Sequence, residues 1–160
     1  MVRSRTSSYA LILCVCAVFL SSPSLRAGAE SRRMGGSCDT TAVNNGSPFT
    51  LHIEGTCQFR HLGATTVVAE QIIIPTSPTT VRITNTIVYT AANGDELHSS
   101  FVGTGTFTAE GVTFSGAETF SGGTGRFAGA SGGMFDIGTA TFTSPTTAVG
   151  HFTGDGSIVY

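Results

Sequence analysis

Glu118 is the carboxylate in this chain best placed to do chemistry. It lies in phase with Val112, Phe114 and Phe120, so strict alternation puts it on the apolar face of an extended segment. A carboxyl buried there would hold its proton above the ordinary carboxylate range and could act as acid, base or ligand anchor. Two structural alternatives stand beside that reading. A bulge at Gly116 would turn Glu118 outward, and a nearby arginine would make it half of a structural pair. Asn85 interrupts the apolar face of Val81, Ile83, Ile87 and Tyr89 in the same way. It could line a cavity or bond to a bulged backbone.

Other chemistries find less support. His52, His61, His98 and His151 form neither H-x-H nor H-E-x-x-H, and alternation turns His52, His98 and His151 outward, so no metal site is expected. His61, within Arg-His-Leu-Gly, fits a turn or rim. No G-x-S-x-G elbow exists for a serine hydrolase. The glycine-rich stretch SGGTGRFAGASGG, residues 121–133, comes near a dinucleotide fingerprint. A phosphate cradle needs a helix N-terminus after the glycines, and here another alternating segment follows. The stretch therefore reads as a corner between strands. Gly122, Gly123, Gly125 and Gly129 turn the chain, Phe127 is tucked inward, and Arg126 bonds turn carbonyls. No cofactor is expected.

These side chains must be held by strands, because helical periodicity is missing after residue 30. An alternating segment puts Phe49, Leu51 and Ile53 on one face, and others follow at 65–74, 81–89, 97–108, 112–120, 134–143 and 148–160. Phe101 shares an inner face with Leu97 and Phe107. Asn93-Gly94 predicts a hairpin with a type I′ turn. That makes seven long strands, with an eighth short one near Arg126-Phe127. Glycines inside the segments, among them Gly103, Gly116 and Gly154, mark bulges and bends of the kind that close a small barrel. A β-sandwich is the rival architecture.

Composition bounds the setting. Residues 1–29 read as a signal peptide: Arg3 and Arg5, an apolar run over 9–20, then Ala27-Gly28-Ala29. Twelve apolar residues are too few for the ~20 of a bilayer-spanning helix, so no stable membrane insertion is expected after cleavage, though a retained anchor is the alternative. Export leaves Cys38 and Cys57, an even pair that reads as one disulfide tying an N-terminal segment (30–48) to a barrel domain (49–160). Two free thiols or half a metal site are the other readings. Beyond Cys38, nine acids face only Arg60, Arg82 and Arg126, which excludes nucleic acid as a partner.

The corner SGGTGRFAGASG resembles the signature loop of the dirigent and allene oxide cyclase superfamily. TAANGDEL (90–97) and RHLG (60–63) resemble further pieces of its small exported bacterial members, so the resemblance covers about 49–160. It implies an all-β fold: an eight-stranded antiparallel β-barrel, calycin-like, with a central cavity and a homo-oligomer as one state. Plant dirigent proteins are thought to guide phenoxy-radical coupling with cavity acids and arginines, and the cyclases use a polar group and bound water. Neither set of catalytic motifs maps onto this chain, and only Glu118 offers a loose parallel. The leading expectation is a non-catalytic binder of a small apolar or aromatic ligand, held by Glu118, Asn85, Phe101 and Phe114. A cofactor-free isomerase or cyclase using Glu118 and Asn85, a dirigent-like coupling guide, and a barrel filled solid for structural or surface interaction are the alternatives.

Overall fold

The computed structural model describes residues 30–160 except Pro48; the leader expected over 1–29 lies outside the described residues. Eight strands follow one another: β1 (Ser31–Ser47), β2 (Thr50–Phe59), β3 (Gly63–Pro75), β4 (Thr80–Ala91), β5 (Glu96–Phe107), β6 (Gly111–Gly123), β7 (Ser131–Ser144) and β8 (Thr147–Val159). Each pairs antiparallel with the next, and β1 pairs with β8, so the sheet closes into a barrel. Closure leaves no strand edge open to a second chain. Among the described residues no helix is long and apolar enough to cross a membrane.

The eighth strand is not the one expected. Arg126-Phe127 belongs to a single 3-10 turn, Gly125–Phe127, and the barrel is completed by the N-terminal segment. β1 bonds to β2 on one side and β8 on the other, with Met34 and Cys38 directed into the interior and buried. Cys38 stands opposite Cys57 on β2, and the two form a disulfide with 4.0 Å between their Cα atoms.

Two local expectations also change. Gly94 has φ +85°, but among the described residues only His61 has positive φ outside glycine, so Asn93 does not. The hairpin is therefore a type I turn followed by a left-handed glycine, not a type I′ turn. The Gly94 N–H donates to the Ala91 carbonyl at 2.8 Å, and the Ala91 N–H to that of Asp95 at 2.9 Å. The register shifts fall at Asn44/Ser47, Leu97/Ser99 and Phe142/Ser144. Gly103, Gly116 and Gly154 pair without a shift. They are glycine because large neighbours lie over them: a Cβ at Gly116 would sit 2.6 Å from Phe101 Cζ.

The two ends of the barrel differ. At the end holding the β2–β3, β4–β5 and β6–β7 turns, Met34, Phe59, Leu62, Leu97, Phe120, Phe127 and Ile158 are buried together and plug the interior. Each large side chain so buried contributes roughly 1.5–3 kcal/mol. Phe59 meets Tyr89 edge-on at 5.4 Å, and Phe127 meets Tyr160 at 5.2 Å. The Cys38–Cys57 bridge belongs to this plug. Toward the opposite end the interior is hollow.

Candidate functional site

Alternation along eight strands sends every second side chain inward. Above the plug, these side chains surround a cavity of about 590 Å³. It opens between the turns at the other end of the barrel, where Phe49, Pro78, Phe107, Phe142 and Pro145 form the rim. The walls are mainly Leu, Ile, Val, Ala and Phe. Phe101 and Phe114 meet edge-on in the wall at 6.3 Å, and Phe152 lies 6.4 Å beyond Phe114.

The floor is polar. Tyr89 from β4, Glu118 from β6 and Asp136 from β7 are its deepest polar side chains, and at 0 %, 2 % and 3 % exposure they are effectively sealed from bulk water. The Tyr89 hydroxyl donates to Glu118 Oε2 at 3.0 Å. Glu118 Oε1, Asp136 Oδ1 and the hydroxyl of Ser99 are buried without a hydrogen-bond partner, and so is Asn85 Oδ1 in the wall above. Asp136 has room because β8 carries Gly154 opposite it, where a Cβ would lie 2.5 Å from Asp136 Oδ1.

Burial dominates the protonation of these groups. It pushes the Asp136 carboxyl up to about 9, and the charge of Glu118 beside it adds to the push. It raises Glu118 too, against the pull of the neighbouring Ser99 and Asp136 and of Tyr89, of which Tyr89 alone makes a well-formed hydrogen bond to it. The Tyr89 phenol lies well above its usual value, again chiefly through burial and then the neighbouring carboxylates. Two adjacent carboxyls that resist joint ionisation hold a proton near neutral pH. Such a pair can donate a hydrogen bond, accept one, or pass a proton to a molecule resting on the floor.

Glu118, Asn85, Phe101 and Phe114 all reach this one cavity. Neither alternative for Glu118 holds, since Gly116 sits in regular register and no arginine lines the cavity among the described residues. The glycine corner lies elsewhere, outside the closed end. Phe127 is fully buried there. Arg126 does not bond turn carbonyls. Its guanidinium stacks over the Phe127 ring at 4.7 Å with Nε 3.7 Å from Asp95 Oδ2, and its backbone N–H donates to the same carboxylate at 3.3 Å. Gly122, Gly125 and Gly129 have φ of +104°, +53° and +81°, values at which a Cβ is strained. Gly123 packs against the β5 backbone at Glu96.

The histidines stay on the outer surface. His52 bonds Glu70 at 2.6 Å and Glu54 at 3.1 Å, His98 bonds Glu96, and His151 bonds Asp39 at 2.8 Å. His61 has φ +69° in the β2–β3 turn. Among the described residues no three His, Cys, Asp or Glu side chains are grouped to hold a metal ion.

Asp136 escaped the sequence reading, as did the roles of Tyr89 and Ser99. The apolar neighbours Phe135 and Ile137 point to solvent, at 53 % and 61 % exposure, so simple alternation turns β7 inside out. The usable signal was the longer run Met134, Asp136, Gly138, Ala140, Phe142, which is in phase throughout.

No protein-family model matches the chain. No curated protein matches it in sequence. Among solved structures the chain is similar to the pterocarpan synthase dirigent protein GePTS1, with a TM-score of 0.48 and 12 % identity over 87 % of this chain and 97 % of that one.

Proposed function

We propose that the protein binds a small, largely apolar or aromatic molecule inside the barrel, with the polar floor fixing its orientation. The observation that carries this is the open-mouthed cavity of about 590 Å³ with aliphatic and aromatic walls and a few converging polar groups, the usual make-up of a small-molecule site. A barrel filled solid would have closed that space. Export fits the same reading, because the Cys38–Cys57 bridge persists in an oxidising compartment. Native mass spectrometry of the secreted protein is the test. A bound mass that dissociates on denaturation supports the reading. A bare barrel that also fails to take up a neutral naphthyl dye counts against it.

The carboxyl pair favours a second reading, a cofactor-free isomerase or cyclase in which Glu118 and Asp136 exchange a proton with the ligand and Asn85 orients it. Glu118→Gln separates the two. Retained binding with lost turnover makes the site catalytic, whereas unchanged turnover of any converted ligand rules Glu118 out as the acid or base.

A further inference from the structure

The walls and floor of the cavity carry two acids and, among the described residues, no cation. Every arginine of the described chain lies outside the lining, and the chain has no lysine. The groups facing the acid pair are Tyr89 from β4, Ser99 and Phe101 from β5, Met134 from β7 and Gly154 from β8; none can neutralise a carboxylate. Glu118 Oε1 and Asp136 Oδ1 are each buried without a partner. With one proton held by the pair, one buried negative charge is left without a counter-ion, which proteins ordinarily supply from a side chain or a metal. The aromatic side chains Tyr89, Phe101, Phe114 and Phe152 line the same cavity, and aromatic rings attract cations.

We propose that the preferred ligand is a monocationic amine on an apolar or aromatic body, its ammonium seated on the cavity floor against the Glu118–Asp136 pair. This rests on the ligand-binding reading above and names the class of ligand. The ammonium supplies the counter-ion for the single negative charge of the pair, and the proton that the two carboxyls hold stays with them. The complex then buries one positive and one negative charge, with Tyr89 donating to Glu118 throughout. Organic anions are rejected, because a second negative group would face the pair.

The experiment uses the full chain and three probes of one shape: 2-phenylethylamine, 2-phenylethanol and phenylacetate. Neutral N-phenyl-1-naphthylamine serves as the fluorescent reporter of cavity occupancy. The amine should displace the dye at least tenfold more effectively than the alcohol, and phenylacetate should not displace it. Calorimetry in buffers of different ionisation enthalpy should show that amine binding leaves the proton of the carboxyl pair in place, with no buffer-dependent heat. Glu118→Gln and Asp136→Asn, which keep side-chain shape, should each bring amine and alcohol to within about twofold of one another while the dye still binds. Equal displacement by amine and alcohol in the unaltered protein, or an amine preference that survives both substitutions, overturns the proposal and leaves the ligand-binding reading standing. If the dye never enters the folded barrel, the ligand-binding reading falls, and the amine proposal with it.

Discussion

Asp136 and Glu118 set the pH behaviour of the folded chain as well as the chemistry of the floor. A free aspartate ionises near 3.8, while burial and the Glu118 charge hold Asp136 at about 9. Between those values the folded chain binds more protons than the unfolded one, so stability falls as pH rises through that window. Asp136→Asn removes the titration. It should raise stability by about 1–3 kcal/mol at pH 8, the scale of relieving an unpaired buried acid, and by much less near pH 4. Urea midpoints at the two pH values measure the difference, and an equal shift at both would mean that Asp136 does not titrate in this range. Of the pair, only Glu118 could be read from sequence. Its in-phase neighbours Val112, Phe114 and Phe120 line the interior, so hydrophobicity and direction agreed. On β7 they disagreed, because Phe135 and Ile137 give the outer surface the more apolar face, and a rule that equates apolar with inward turns the acid outward.

At the scale of elements, β1 shows what local pattern cannot convey. Gly35 and Gly36 disfavour a strand on intrinsic grounds, yet the segment is extended because β8 pairs with it from Ser31 to Val43 and β2 from Gly36 to Asn44. Its place is decided by closure of the sheet, a property of the other seven strands. The bridge to β2 adds a covalent constraint. Cys38 and Cys57 are 19 residues apart, and opening a loop of that size should cost about 3 kcal/mol in the chain-entropy account. The double substitution Cys38→Ala/Cys57→Ala should lower the denaturant midpoint accordingly while far-ultraviolet circular dichroism stays that of a barrel; an unchanged midpoint would place β1 outside the cooperative unit. The glycine corner was legible for the opposite reason. Its backbone demands are local, so the glycines and the inward Phe127 declare themselves without reference to the rest of the fold. Phe127→Ala empties a fully buried site and should cost about 3–5 kcal/mol, against little for substitutions of the exposed Arg82. Comparable midpoints for the two would mean that the corner does not anchor the plug.

Across the whole molecule, the plugged end and the hollow end divide stability from function. Met34, Phe59, Leu97, Phe120, Phe127 and Ile158 provide a dry core on one side of Tyr89, Glu118 and Asp136, while the space on the other side forgoes packing that larger side chains would have supplied. A barrel selected for stability alone would fill that space, as eight-stranded interiors are able to do. Ala42 on β1 and Ala140 on β7 line the cavity and are only partly buried, so each leaves room above it. Ala42→Phe and Ala140→Phe should therefore be tolerated. The added ring moves from water into an apolar space at about 25 cal/mol per Å² of surface buried, so thermal midpoints should hold or rise. The same ring occupies the volume that a ligand needs, and uptake of the neutral naphthyl dye should fall at least tenfold in each variant. Raised stability together with lost uptake is the signature of a cavity kept open for an occupant. Undiminished uptake in both folded variants would move the binding site to the outside of the barrel.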